Sequence, residues 1–166
     1  MLGALAGAVV RRLEAGLRSH ANQTDSSAAA LNLLALYEGC SNVALSRGLR
    51  LSHPATVRLV DKLEAAGLVE SRAGADRRSV ALFLTLAGRS RAREILQARC
   101  LALETVVDVL SPDQQRQLDG IAETLLRAFT TSPLEGGHIC RLCDEAICPP
   151  ERCPVHLEAA SLMTAG

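Results

Sequence analysis

Apolar residues recur along this chain at steps of three and four over most of its length and at steps of two in one short stretch. That pattern predicts a mainly α protein carrying a small β-hairpin. Leu5, Val9, Leu13 and Leu17 predict a first helix over residues 2–19. A polar break follows at residues 22–27, and Leu31, Leu34, Ala35 and Tyr37 mark a second helix over residues 28–38. Residues 39–42 read as a loop leading into a short helix near 42–49. Farther on, Ile95, Leu96, Leu103 and Val106 lie on a long helix over 87–110. Ser111-Pro112-Asp113 is a stop and restart signal, with Ser111 as N-cap and Pro112 in the first turn. Leu118, Ile121, Leu125 and Phe129 then mark another helix.

The most informative stretch is residues 51–85. Ser52 stands where an N-cap belongs, and Pro54 falls in the first turn, where its missing N–H costs nothing. Thr56, Leu59, Val60, Leu63 and Ala66 make one apolar stripe, Arg58 and Lys62 lie four apart on the opposite face, and Gly67 ends the helix. Alone, this would be an ordinary surface helix with solvated basic residues. The residues after Gly67 give it another meaning. Residues 68–72 predict one strand, and Val80, Leu82 and Leu84 alternating with Ser79, Ala81 and Phe83 predict a second. The turn between them, from Ala73 to Asp76, carries Arg77 and Arg78 on its far side. A helix with an outward basic face followed by such a hairpin is a winged helix-turn-helix, with the helix suited to a major groove and the wing to phosphates or the minor groove.

These residues resemble the MarR family of winged-helix transcription regulators. The matching pieces are Leu51-Ser52, the run from Arg58 to Glu64 followed by Gly67-Leu68-Val69, and Asp76-Arg77-Arg78 before a strand ending in Leu84-Thr85. The resemblance implies an obligate homodimer whose base is built from the N- and C-terminal helices, a palindromic double-stranded DNA operator, and repression. It also implies that Asp76 orients Arg78 at the wing tip. One departure stands before the recognition helix, where relatives usually carry Gly and this chain has Arg50, with Gly48 two residues earlier. The candidate DNA contacts are Ser52, His53, Ala55, Arg58, Lys62, Arg72, Asp76, Arg77 and Arg78. Because His53, Pro54 and Ala55 offer few groups that hydrogen-bond a base edge, specificity is expected to rest on His53, Arg58 and DNA shape.

Aromatic residues make up only 2% of the chain, so its core must be built from Leu, Val and Ala. A net charge of zero argues against a nucleic-acid binder until its distribution is read. Residues 1–40 are balanced, residues 41–99 carry eleven basic against five acidic groups, and residues 100–166 carry four against ten. A basic middle with an acidic tail is the electrostatic footprint expected if only the middle touches phosphates. Arg89, Arg91, Arg93 and Arg99 on the long helix read as a solvated face. Residues 2–10 are apolar, but Arg11 and Arg12 follow them, the reverse of a signal peptide, and no stretch is long and apolar enough for a membrane span. The expected location is cytoplasmic.

Residues 130–137, with Pro133 and Gly136-Gly137, read as a linker to a second informative stretch. Cys140, Cys143, Cys148 and Cys153 fall within fourteen residues, with gaps of two, four and four. In a reducing compartment, thiols this close point to metal binding or redox work. Four thiolates can close a tetrahedral site for Zn2+, the first expectation, or hold an iron–sulfur cluster, the second; thiols acting by disulfide formation are the third. His138 and His156 flank the cluster and read as solvated. Cys40 and Cys100 read as ordinary buried cysteines.

The domain reading is residues 1–40 for the N-terminal helices of the dimer base, 41–86 for the winged lobe, 87–131 for the long base helices and 132–166 for linker and cysteine tail. No phosphate-cradling loop, nucleophile elbow or two-histidine helix motif is present, so no enzyme is expected. The expected function is a dimeric DNA-binding repressor controlled by a metal or redox signal at the four cysteines. Two alternatives stand beside it: a repressor answering a small-molecule effector, with a structural zinc tail, and a thiol redox or metal-handling protein on a winged-helix scaffold.

Overall fold

The computed structural model describes residues 1–17, 25–74 and 80–164. Its elements are α1 (Leu2–Leu17), α2 (Asp25–Leu36), α3 (Asn42–Leu49), α4 (His53–Ala65), β1 (Val69–Ala73), β2 (Val80–Leu84), α5 (Leu86–Val107), α6 (Pro112–Phe129), α7 (Pro133–Ile139) and α8 (Pro154–Thr164). They fall into two compact units: Thr24–Glu94 with Gly137–Cys143, and Met1–Gln23 with Ile95–Gly136 and Asp144–Gly166.

The first unit is built around α2. Every residue of α2 from Ser27 to Leu34 is buried, and Leu31, Leu34, Leu45 and Leu82 are among the largest fully enclosed side chains. The polar break expected at residues 22–27 is therefore shorter at its C-terminal side: Asp25, Ser26 and Ser27 already belong to the helix. Asp25 sits in its first turn, where a carboxylate meets unpaired N–H groups and the positive end of the dipole. At its other end the helix stops at Leu36, short of the expected Glu38, because Gly39 takes a left-handed φ of 77°. The loop at 39–42 also does more than connect. Gly39 N donates to the Leu82 carbonyl at 2.9 Å and Leu82 N to the Cys40 carbonyl at 3.0 Å, so Cys40 forms a one-residue bridge beside the hairpin.

Helix α3 gives room to the Leu33 side chain of α2 because Gly48 has none; a Cβ there would lie 2.9 Å from Leu33 Cδ1. β1 and β2 pair antiparallel with Val69 opposite Leu84 and Ala73 opposite Val80. Leu82 and Leu84 face the core, and Val80 is exposed. Thr85 joins hairpin to helix: its N–H donates to the Leu68 carbonyl at 3.1 Å, its hydroxyl to the Gly67 carbonyl at 2.7 Å, and Gly88 N donates back to that hydroxyl at 3.0 Å. Gly88 lies so near the Leu68 carbonyl that a Cβ would come within 1.9 Å of its oxygen.

The second unit is helical and poorly filled. α1 meets α5 through Gly16, whose missing Cβ leaves room for Ala102 and the Ala98 carbonyl. Ser111 caps α6 as the sequence predicts, and Gln114 completes a capping box by accepting from Ser111 N. No residue of α6 is buried, and Leu118, Ile121, Leu125 and Phe129 are exposed. The expected linker at 130–137 contains α7 instead. Pro133 is tolerated at a helix start, Ser132 Oγ accepts from Glu135 N at 3.1 Å, and Gly136 lets Ala159 and Val155 of α8 approach. Of the two glycines that suggested a loop, Gly136 serves close helix packing, whereas Gly137 has open space where a side chain would be.

Replacing Gly88 with Ala must push α5 off the hairpin, since the obstacle is a backbone oxygen. Gly88→Ala is expected to lower stability by about 1–3 kcal/mol, read from the urea unfolding midpoint.

Candidate nucleic-acid interface

Helix α4 is set by its caps. Ser52 Oγ accepts from Ala55 N, the Thr56 hydroxyl donates to the Ser52 carbonyl at 3.2 Å, and Gly67 follows the C-cap with φ 68°. The buried face is Thr56, Val60 and Leu63. It is narrower than the sequence pattern, because Leu59 is half-buried and Ala66 is exposed at the helix end. Opposite it, Arg58 and Lys62 stand exposed one turn apart, and neither has an ion-pair partner among the described residues. Ser52 and His53 are exposed at the helix start, and Ala55 is half-buried.

The turn before α4 is made by Arg50, with φ 53° and ψ 39°. Its N–H donates to the Arg47 carbonyl at 3.2 Å, and Leu51 N donates to the Ser46 carbonyl at 3.1 Å. These bonds close α3 in the way a glycine after a helix usually does, but with a residue that bears a Cβ. Ser41 caps the other end of α3, accepting from Ala44 N at 3.2 Å.

On the hairpin, Arg72 is not a loose cation. It pairs with Glu70, and its guanidinium lies 4.6 Å from the centre of the Phe83 ring. Nearby, Arg89 pairs with Glu38 and holds that carboxyl below the usual range, the hydrogen bond being the largest cause. Arg91 pairs with Glu94 at 3.2 Å. The basic start of α5 is therefore partly committed to surface ion pairs. Asp76, Arg77 and Arg78 lie outside the described residues.

The tail contributes a feature that sequence patterns did not reveal. Cys143 N donates to the Cys140 carbonyl at 2.9 Å, so the two cysteines end one tight turn. Buried Asn32 of α2 donates through Nδ2 to the Arg141 carbonyl at 3.1 Å and to the Cys143 carbonyl at 3.0 Å. Arg141 pairs with Asp25 at 3.1 Å and donates to the His138 carbonyl at 2.9 Å. His138 is thus packed rather than solvated: it is half-buried, its Nε2 lies 3.3 Å from Arg141, and burial followed by the Arg141 charge lowers its pKa. The available signal was a single amide inside an apolar helix, since a buried amide needs partners. Cys148 and Cys153 each end a backbone turn, with Cys148 N donating to the Asp144 carbonyl at 2.9 Å and Cys153 N to the Pro149 carbonyl at 3.1 Å. Among the described residues, no three His, Cys, Asp or Glu side chains gather as an ion-holding group. Cys40 and Cys100 are half-buried rather than buried. Burial raises the pKa of both thiols, and for Cys100 the Glu104 carboxylate adds to it.

Residues 24–79 match the MarR family model. Among solved structures, a MepR mutant from Staphylococcus aureus is 18% identical with a TM-score of 0.71, over 76% of this chain and 94% of that one. The MarR family protein Rv2887 of Mycobacterium tuberculosis is 25% identical with a TM-score of 0.62, over 75% and 89%. Its complex with salicylic acid aligns at 27% identity and a TM-score of 0.58, over 75% and 92%. No curated protein matches the chain. The mostly helical chain with its two-stranded hairpin has the MarR winged-helix fold.

The left-handed turn at position 50 gives a testable contrast. Arg50→Gly should leave thermal stability unchanged or raise it by up to about 1 kcal/mol, as relief of the Cβ clash outweighs added freedom in the unfolded chain. Arg50→Val should lower it by about 1–2 kcal/mol, because a β-branched residue is poorly tolerated at positive φ.

Proposed function

We infer that the chain is a DNA-binding transcription regulator of the MarR family, acting as a homodimer that represses from a palindromic operator. The observation that carries the reading is the outward pair Arg58 and Lys62 on a doubly capped helix whose other face is buried, followed directly by an antiparallel hairpin. A major groove admits such a helix, and two cations one turn apart on its exposed face suit phosphates and guanine edges. His53, Ser52 and Ala55 are the proposed contacts at the helix start. Arg72, Arg77 and Arg78 are the proposed wing contacts, with Asp76 orienting Arg78. The exposed Leu118, Ile121, Leu125 and Phe129 of α6 support self-association, because an apolar face of that extent is rarely left to solvent. Among the described residues, no helix is long and apolar enough to cross a membrane. The output is occupancy of DNA, not catalysis.

Control is assigned to Cys140, Cys143, Cys148 and Cys153, as thiolate ligands of Zn2+ or of an iron–sulfur cluster, or as redox thiols. Their spacing supports this, and so does the hydrogen-bonded turn that Cys140 and Cys143 share. The salicylic acid bound by the 27%-identical relative favours a second reading, in which a small aromatic acid is the effector and the tail is a structural zinc clasp. A thiol redox or metal-handling protein on a winged-helix scaffold would instead bind DNA negligibly and without salt dependence.

DNA binding measured by fluorescence anisotropy separates these classes. The repressor reading expects affinity to fall steeply with salt, and Arg58→Ala and Lys62→Ala each to weaken binding and reduce the salt slope by about 1. Salt-insensitive, negligible binding by the intact protein would overturn it. Replacing the four tail cysteines with Ser should leave operator binding in place and remove its response to metal or oxidant; a response that survives refutes control at these thiols.

A further inference from the structure

We propose that Asn32 is the positioning residue through which the Cys140–Cys143 turn is coupled to the DNA-reading lobe, so that a thiolate-bound soft metal ion at this turn acts directly on α2. The inference rests on the assignment of control to the tail cysteines and names how the signal enters the lobe.

The argument starts from burial. Asn32 is 3% exposed within a helix that is otherwise apolar from Ala28 to Leu34. An amide there needs partners, and its nitrogen donates to two carbonyls more than a hundred residues away in the chain, those of Arg141 and Cys143. Both carbonyls belong to the turn whose ends are the two cysteines. Asp25, seven residues before Asn32 and so on the same face of α2, holds the Arg141 side chain. The turn is thus fixed along one face of α2 by its backbone at two points and by a side chain at a third, which presents a Cys-x-x-Cys pair with its backbone already ordered.

Metal ligands held this way depend on the groups that orient them, and loss of such a group typically weakens binding by about ten- to hundredfold. The same link works in reverse. An ion that binds the docked turn better than the released one stabilises the docked turn and the helix under it by mass action. That helix packs on α3 where Gly48 meets Leu33, and α3 ends in the Arg50 turn that leads into α4. Metal at the turn therefore bears on the helix-turn-helix through α2 and α3.

The test uses the full-length reduced protein and cobalt(II) as a spectroscopic stand-in for zinc. The unsubstituted protein should develop thiolate-to-cobalt charge-transfer absorption. Asn32→Leu, shown to be folded by circular dichroism, should bind cobalt about ten- to hundredfold more weakly and lose the metal-dependent change in operator affinity. Wild-type cobalt affinity in folded Asn32→Leu overturns the inference and leaves metal control at the cysteines standing. No cobalt uptake by the unsubstituted protein removes metal control, and the inference with it. Should Asn32→Leu fail to fold, Asn32→Asp removes the same two donors at constant size. Hydrogen exchange on the unsubstituted protein gives an independent reading. Metal should slow exchange in both residues 137–143 and α2, and slowing confined to the tail overturns the coupling.

Discussion

Eight consecutive residues of α2, Ser27 to Leu34, are buried, so this helix is covered around its whole circumference and its neighbours are held by it in turn. A stretch that long passes through every direction around a helix axis, which requires packing on all sides. α3 supplies one side through the Gly48 contact with Leu33. The tail turn supplies another through Asn32, and the hairpin is fastened to the residues just after the helix by the Gly39 and Cys40 bridges to Leu82. The position of the recognition helix is inherited from this arrangement. Its inner residues, Thr56, Val60 and Leu63, complete the same lobe, and that leaves Arg58 and Lys62 outward.

The parts legible in the sequence were those whose cause is local. Ser52 and Ser111 declare their helices because an N-cap acts on residues two and three places away. The hairpin was legible because alternation and a turn sit side by side. The features that escaped depend on distant partners. Asp25 to Ser27 look like a loop until their place in α2, and the burial of Ser27, are known. Residues 130–137 look like a linker because Pro and Gly usually break structure. In this setting Pro133 starts a helix and Gly136 gives room to Ala159 and Val155, which no local pattern reveals. Arg50 shows the limit from the other side, since a missing glycine did not alter the turn; the chain takes the left-handed conformation anyway.

For the candidate site the same division holds. The outward cations of α4 follow from helical spacing, whereas Arg72 turned out to be engaged with Glu70 and Phe83, partners two and eleven residues away. The cysteines could be recognised as a group, but spacing carries no information on what their backbone rests against. Asn32 and Arg141 supply that, at separations above a hundred residues.

The helical character of residues 133–139 has one more consequence. By composition this segment reads as open to insertions, as exposed Pro- and Gly-bearing segments generally are. In a helix, each added residue rotates the downstream chain by roughly 100° and advances it by about 1.5 Å. The carbonyls of Arg141 and Cys143 meet one amide of α2, and the Arg141 side chain donates to the His138 carbonyl, so a residue inserted after Gly137 would pull the turn off this local register. Relatives that keep this tail are therefore expected to vary here by substitution and to hold the length between Gly137 and Cys143 constant, so that spacing, more than residue identity, becomes the mark by which the arrangement is inherited.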